Sequence, residues 1–278
     1  MTTAGRRLDD AAPFADAVLV DGTRVHAVLP PLTREPTLSL RLFTHRGRRL
    51  ADLVRDDALT DEIAGLLHAV VAARLAFVVS GGTGAGKTTV LGAMLAEVPH
   101  DERILVIEDT PELAVGHPHV VGLAPRGANV EAAGGIGLRD LVRQSLRMRP
   151  DRLVVGEFRG AEMGELLVAL NTGHDGGAAT LHANTAAAVP ERLVALGGLA
   201  GLTRAAVVGL AGSALHLVIH LQRDGPRRAV TEIAMLARND DELTTSTVWN
   251  VRTGSGPAAT TLARLCGERG VELPAVPG

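Results

Sequence analysis

Short apolar runs alternate with polar residues along the first part of the chain, whereas longer apolar runs alternate with helical segments further on. The first pattern predicts a small β-rich domain in residues 1–45. The second predicts an α/β domain with a mostly parallel sheet over residues 58–250. Residues 46–57 are charged and are predicted to be a linker. Residues 251–278, rich in Gly, Pro and Ala around one short helix expected at Ala258–Arg264, are predicted to be a flexible tail.

One apolar run leads directly into a glycine-rich loop. Leu75–Val79 has the character of a buried parallel strand, and Thr89–Glu97 has the pattern of a helix. The loop between them fits G-x-x-x-x-G-K-[ST], in which backbone N–H groups at a helix N-terminus bind phosphate. The sequence therefore predicts a site for ATP with Mg2+ on the hydroxyl of Thr88. The predicted nucleotide-binding residues are Gly81, Gly82, Thr83, Gly84, Ala85, Gly86, Lys87, Thr88 and Thr89.

Composition points to the same loop, because Lys87 is the only lysine among 28 basic residues. The ammonium group is a compact charge on a flexible stem, so it can enter a cradle of backbone N–H groups that the wider arginine fork does not fit. We expect Lys87 to contact the β- and γ-phosphates of the nucleotide.

The remaining composition excludes several classes of protein. The net charge is −3, tyrosine is absent and aromatics make up 2%, which argues against a nucleic-acid-binding surface. Cys266 is the single cysteine, so the chain has no intrachain disulfide and fits a reducing cytoplasm. The N-terminal residues have no apolar signal segment. Leu193–Leu221 is apolar but interrupted by glycines, Arg204 and histidines, which favours a buried helix followed by a strand over a membrane span.

Acidic side chains follow two of the apolar runs, where the carboxyl ends of parallel strands place ligands. Glu108, Asp109 and Glu112 come after Ile104–Ile107, and they could polarise a water, hold Mg2+ through water, or cap a helix. Glu157 follows a second run and has the position of a Walker B acid, which binds the metal through water or orients the attacking water.

Cationic and histidine side chains complete the set of candidates. Arg159 is a candidate cation for the phosphates or for a neighbouring subunit. His174 and His182 flank a short apolar run, where they could sense the γ-phosphate or serve as satisfied turn residues; their spacing does not fit zinc. Arginines also recur every four residues along one predicted helix, where they are either solvated or part of a subunit contact: Arg139, Arg143 and Arg147.

The order of these segments resembles the ATPases of type II and type IV secretion and pilus assembly, and most closely the CpaF-like branch of tight-adherence (Tad) pili. The resemblance covers residues 5 to about 237. The motifs that carry it are Gly5–Asp10, Asp21–Val25, the loop around Lys87, Ile107–Glu112, Arg147–Arg152, Gly156–Gly160 and Asn171–Asn184.

This resemblance implies a RecA-like motor domain that binds ATP and Mg2+, a smaller N-terminal domain, and a homo-hexamer at the cytoplasmic face of a membrane platform protein. It assigns the catalytic glutamate to Glu112, the Walker B acid to Glu157, and the family's histidine box to His174–His182. An N-domain arginine that approaches the phosphates matches Arg41, with Arg24 as a second match. The chain begins at a motif that lies inside the family's usual N-terminal region, so we expect that domain to be shortened.

The expected function is Mg-dependent ATP hydrolysis that powers a Tad or type IV-like pilus or protein secretion. Two alternatives stay open at the level of the sequence. One is a DNA-translocating motor of a conjugation apparatus, and the other is a non-catalytic assembly subunit that nucleotide gates.

Overall fold

The computed structural model describes residues 7–20, 22–42, 47–126 and 134–278. Three motif positions, Gly5, Arg6 and Asp21, lie outside these ranges. The chain divides into two compact units, Met1–His45 and Arg46–Gly278.

The N-terminal unit contains an antiparallel three-stranded sheet in the order β1-β2-β3. Its strands are β1 (Phe14–Val18), β2 (Arg24–Val28) and β3 (Thr37–Arg41). Alternation puts the small side chains Ala15 and Ala17 on one face, and both are buried. Leu40 is opposite Val25 in the register and therefore shares that face, although it is 58% exposed.

The second unit is built on a nine-stranded sheet in the order β12-β11-β10-β9-β4-β8-β7-β5-β6. Its strands are β4 (Phe77–Gly81), β5 (Ile104–Ile107), β6 (Val120–Leu123), β7 (Arg152–Val155), β8 (Ala178–Leu181), β9 (Leu217–Asp224), β10 (Arg227–Asn239), β11 (Glu242–Asn250) and β12 (Gly254–Ser255). Its helices are α1 (Leu50–Arg55), α2 (Asp61–Ala72), α3 (Lys87–Leu95), α4 (Leu138–Ser145), α5 (Glu162–Leu170), α6 (Val189–Leu199), α7 (Arg204–Ala214) and α8 (Ala259–Glu268).

The strands from β9 to β6 are parallel, and β10, β11 and β12 extend the β9 edge in antiparallel pairing. Strands β4, β5, β7 and β8 are buried at every residue, as expected where helices cover both faces of a parallel sheet. One core cluster includes residues of α1, α2, α3 and α8, and the other includes residues of α4, α5, α6 and α7. The predicted α/β class with a mostly parallel sheet and a small β-rich N-terminal domain is confirmed.

The predictions for the segments 46–57 and 251–278 are corrected. The segment 46–57 is not an open linker, because it contains α1 with Leu50 and Leu53 buried. The segment 251–278 is not a loose tail, because α8 buries Leu262 and Cys266 in the core that also holds Trp249. The charge of the first segment and the glycine content of the second suggested irregular structure. Both segments nevertheless contain apolar residues at helical spacing, which form the buried faces of α1 and α8.

The apolar stretch Leu193–Leu221 was predicted to be one helix and a strand, and it forms α6, α7 and β9. Gly201 ends the first helix with φ +79°, and Thr203 caps the second by accepting a hydrogen bond from the N–H of Ala206. Within the described ranges, no helix is both long and apolar enough to cross a membrane.

Candidate functional site

The phosphate-binding loop connects β4 to α3, at the carboxyl edge of the sheet. Gly81 has φ +153°, and a Cβ there would lie 2.6 Å from the carbonyl oxygen of Leu221 on β9. Gly86 has φ +96° in the left-handed region and forms the N-cap of α3. A residue with a side chain would be strained at Gly86 and would clash at Gly81, so the glycines let the loop turn sharply against the neighbouring strand.

Lys87 is the first residue of α3 and is 8% exposed. Its Nζ donates hydrogen bonds to the carbonyl oxygens of Gly81 (3.1 Å) and Gly82 (2.9 Å), so the side chain lies across the loop. Nζ is also 3.4 Å from both ring nitrogens of His182. Burial lowers the pKa of Lys87 from its ordinary value, and the charge of Glu157 opposes this shift.

Glu157 follows β7, and its carboxylate contacts both His182 and Arg159. Its Oε1 lies 2.9 Å from Nε2 of His182, and its Oε2 accepts a hydrogen bond from Nε of Arg159 at 2.7 Å. The carboxylate side chain is 22% exposed, so it is accessible from the loop side while being held by two partners.

His182 follows β8, which lies between β4 and β7 in the sheet. Burial and the charge of Lys87 lower the pKa of His182 from its ordinary value, while Glu157 raises it. The ring is therefore neutral at neutral pH and can donate one hydrogen bond and accept another. In that state His182 can donate its one N–H to the carboxylate of Glu157 and accept a hydrogen bond from the ammonium group of Lys87 without adding a charge.

Arg159 connects Glu157 to the acidic segment after β5. Its Nη1 lies 3.2 Å from Oδ2 of Asp109. The side chain of Glu162 holds the turn that carries Arg159. Oε1 of Glu162 accepts hydrogen bonds from the backbone N–H groups of Arg159 (2.5 Å) and Gly160 (2.7 Å). Glu162 is 5% exposed, and sequence reasoning missed it. The sequence signal that could have identified Glu162 is the position of an acidic residue two places after Gly160, at the start of a helix.

Glu108 holds the segment that carries Glu112. Its Oε1 accepts hydrogen bonds from the backbone N–H groups of Glu112 (3.2 Å) and Leu113 (3.0 Å). Burial raises the pKa of Glu108 to about 7, against the effect of those hydrogen bonds. Gly156 makes room for this side chain, because a Cβ there would lie 2.5 Å from Cγ of Glu108.

These groups fit a nucleotide with Mg2+. The glycine loop presents its backbone at the N-terminus of α3, where a helix binds phosphate, and the half-buried Thr88 lies in the first turn. The hydroxyl of Thr88 and the carboxylate of Glu157 are oxygen donors of the type that Mg2+ prefers, directly or through water. Among the described residues no group of three or more His, Cys, Asp or Glu side chains could hold a metal, so a zinc-type site is not formed there.

Some predicted site residues lie elsewhere. His174 precedes β8, and its Nδ1 lies 3.2 Å from the carbonyl oxygen of Ala169, so it is a satisfied turn residue at the amino end of the strand. His182 follows β8 directly, whereas His174 precedes the strand by four residues. A role for His174 at the γ-phosphate stays a prediction.

The predicted arginines outside the loop have varied positions. Arg139 and Arg143 both bind Oε1 of Glu165 on α5, at 2.8 and 2.6 Å, so this part of the stripe pairs within the chain. Arg41 lies opposite Arg24 across β3 and β2 of the N-terminal unit. Their approach to the nucleotide stays a prediction.

Two groups near the loop were not predicted. Nδ1 of His220 on β9 lies 2.9 Å from Oγ of Ser80, the residue before Gly81, and both side chains are buried. Arg223 and Arg228, on the hairpin of β9 and β10, pack against Gly84 and Gly86. Nothing local in the sequence signals these contacts, because they depend on β9 lying beside β4.

Comparison with known proteins identifies the family. The family described as type II/IV secretion system protein matches residues 1–254. A Mycobacterium tuberculosis H37Rv protein whose name refers to conjugal transfer is 49% identical over 274 residues, which cover 96% of this chain and 78% of that protein. The conjugal transfer protein TrbB of Rhizobium radiobacter is 33% identical over 229 residues, which cover 81% of this chain and 68% of TrbB.

A solved structure agrees with this result. The VirB11 ATPase of the Brucella suis type IV secretion system, solved in complex with sulphate, superimposes with a TM-score of 0.50 at 26% identity. The match covers 82% of this chain and 75% of VirB11. The glycine loop and the mostly parallel sheet agree with this similarity to an ATPase. The chain therefore belongs to the type II/IV secretion system ATPase family.

Proposed function

We propose that this protein hydrolyses ATP in a Mg-dependent reaction and that this reaction powers pilus assembly or protein secretion at the cell envelope. The observation that carries the proposal is the convergence of Lys87, His182 and Glu157 at the carboxyl ends of three adjacent strands, beside the glycine loop. This edge of the sheet is where open α/β proteins bind their ligands.

The roles of the side chains follow from their chemistry. Thr88 and Glu157 would hold Mg2+, the latter through water, and the ion would neutralise negative charge on the phosphates. Glu112 positions or deprotonates the attacking water, and Glu108 keeps the backbone of Glu112 in place. Arg159 stabilises charge that develops on the phosphates.

Two variants test hydrolysis. Lys87→Ala should lower phosphate release by about 10³-fold or more, because the cation that contacts the phosphates is lost. Glu157→Gln should keep nucleotide binding and stop turnover, since the amide retains the shape and loses the charge. Phosphate release and binding of a fluorescent ATP analogue measure these effects.

Full activity of both variants would overturn the proposed active site. If the unmodified protein binds ATP but releases no phosphate even with its membrane partners present, the protein is instead a nucleotide-gated assembly subunit.

Family membership supports a working form on the inner face of the cell membrane: a homo-hexamer with a platform protein of the membrane. The CpaF-like Tad branch is part of this proposal. Measuring the solution mass with and without a non-hydrolysable ATP analogue tests the assembly, and a strict monomer in both conditions would contradict the hexameric motor.

A DNA-translocating motor is a second candidate, because two similar proteins have conjugal transfer in their names. The net charge of −3 and the scarcity of aromatic side chains favour a protein or pilin cargo. Hydrolysis that rises several-fold when single- or double-stranded DNA is added would favour the second candidate instead.

A further inference from the structure

The hairpin of β9 and β10 starts beside the phosphate-binding loop. Strand β9 pairs in parallel with β4, and Leu221 is the register partner of Gly81, the first glycine of the loop. Arg223 lies two residues further along β9, on the same side of the strand as Leu221. Arg228 on β10 is the direct register partner of Arg223. The hairpin therefore presents two arginines together at the loop.

Contacts at the glycines locate these side chains. A Cβ on Gly84 would lie 3.4 Å from Nη1 of Arg223, and a Cβ on Gly86 would lie 3.6 Å from Cδ of Arg228. Gly84 and Gly86 belong to the part of the loop that precedes Lys87. Both arginines thus lie against the loop itself rather than against the body of the sheet.

The pair is electrostatically unfavourable without an anion. Like charges directly opposite each other on antiparallel strands destabilise the pairing. In the described part of the chain, no ion pair of 4.0 Å or less joins either guanidinium to a carboxylate. Among the described residues, these two side chains form one hydrogen bond, from Nε of Arg223 to the carbonyl oxygen of Gly225 at 2.8 Å, which leaves the terminal nitrogens of both arginines as donors.

The arginines lie on the side of the loop away from the catalytic groups. In the sheet, β9 is on one side of β4, and β8 and β7 are on the other. Lys87 reaches toward the second side, where Nζ is 3.4 Å from His182. A phosphate chain that ends near Lys87 and His182 has its inner phosphates closer to the hairpin.

We propose that Arg223 and Arg228 clamp the inner phosphates of the bound nucleotide from the β9–β10 hairpin. The proposal rests on nucleotide binding at this loop, as the proposed function does, and adds residues that act on binding rather than on the chemical step. Arginine suits this role because its planar fork makes two hydrogen bonds to phosphate oxygens. The clamp should hold ADP and ATP alike.

Alanine variants of Arg223 and Arg228, made singly and together, test the clamp. Arg223→Ala and Arg228→Ala should each weaken binding of ADP, ATP and inorganic pyrophosphate by about tenfold, with the turnover number nearly unchanged. Arg227→Ala is the matched control, because it removes one positive charge from the neighbouring position, whose side chain points to the opposite face of β10. It should bind all three ligands within about twofold of the unmodified protein.

The measurement is displacement of a fluorescent ADP analogue, with pyrophosphate as the competitor that lacks base and ribose. Arg228→Lys should recover only part of the affinity, because it keeps the positive charge and loses the planar fork, and melting temperatures should show that the alanine variants fold. Unchanged affinity in the alanine variants would overturn the clamp, and so would a loss confined to ADP and ATP, which would mean contact with the base or ribose. An unmodified protein that binds pyrophosphate through these arginines but does not hydrolyse ATP would leave the clamp standing and refute only the proposed hydrolysis.

Discussion

The two ends of the parallel sheet hold charged side chains in different ways: at the amino end a buried arginine is paired within the chain, and at the carboxyl end the paired groups stay partly exposed. At the amino end, Arg152 begins β7 and is 2% exposed. Its Nε lies 2.6 Å from Oε2 of Glu102, and its Nη2 donates to the carbonyl oxygen of Val71 at 3.1 Å. Arg74 binds the same glutamate at 2.8 Å.

At the carboxyl end of the same strand, Glu157 binds His182 and Arg159 and remains 22% exposed, and His182 is 40% exposed. These groups are held in position, yet they keep a surface on which further oxygen atoms can bind. A cluster whose partners all come from the chain stabilises the fold, whereas a cluster open on one side can bind phosphate and metal.

The largest effect should follow from breaking the closed cluster. Arg152→Ala leaves Glu102 buried with part of its compensation removed, and it should lower the free energy of unfolding by about 3–5 kcal/mol. Chemical denaturation measures this. Arg139→Ala, which removes an exposed partner of Glu165, is the control and should stay close to the unmodified protein. Equal losses in the two variants would remove the distinction between the closed and exposed ion pairs.

A smaller effect should follow from crowding the closed cluster. Gly176 has φ +75°, and a Cβ there would lie 2.2 Å from Nη1 of Arg152. Gly176→Ala should therefore cost about 2–4 kcal/mol of stability from strain and overpacking together. Gly173 has φ +98° with nothing within 4 Å of its Cβ position, so Gly173→Ala isolates the backbone strain. A Gly173 variant as unstable as the Gly176 variant would show that crowding of Arg152 contributes nothing.

The open end should respond in turnover rather than stability. His182→Ala should lower ATP turnover by about 10- to 100-fold, because Lys87 and Glu157 lose the neutral ring between them. His174→Ala, at the other end of β8, should change turnover by less than about twofold. Phosphate release with ATP at saturation compares the two. A larger loss of turnover for His174→Ala than for His182→Ala would contradict the assignment of His182 as the histidine of the site.

The smallest expected effect is a pH dependence from the open end. Glu108 has its pKa raised to about 7 in the folded protein, above the ordinary value of 4.5. Its contribution to stability is therefore fully present below about pH 4.5 and is lost as the pH rises through 7. Between about pH 5 and pH 8 the free energy of unfolding should fall by about 1–2 kcal/mol more than in Glu108→Gln. Parallel curves for the two proteins would contradict the raised pKa.

Sequence predicted the parts of the site that depend on neighbours along the chain. The loop at Lys87 and the acid at Glu157 each follow an apolar run that could only be a buried strand, so their positions at the carboxyl edge followed directly. The buried pair of Arg152 and Glu102 was not predicted, because it joins residues fifty positions apart through the register of β5 and β7.

The two histidines show where local reasoning fails. His174 and His182 lie on opposite sides of β8 in the sequence, and the direction of the strand decides which one reaches Lys87. The hairpin arginines were missed for a similar reason, since the sequence does not reveal that β9 lies next to β4. The short helix expected at Ala258–Arg264 forms as α8, but its packing against the core was not expected from a segment rich in glycine and proline.

Trp249 gives the antiparallel edge its own optical signal. It is the only tryptophan, tyrosine is absent, and the ring lies on β11 at 8% exposure. The fluorescence emission of Trp249 therefore reports on the antiparallel edge of the sheet, whereas circular dichroism averages over all helices. If the antiparallel edge melts before the parallel strands, the two transitions will separate, and if the domain unfolds as one cooperative unit, they will coincide.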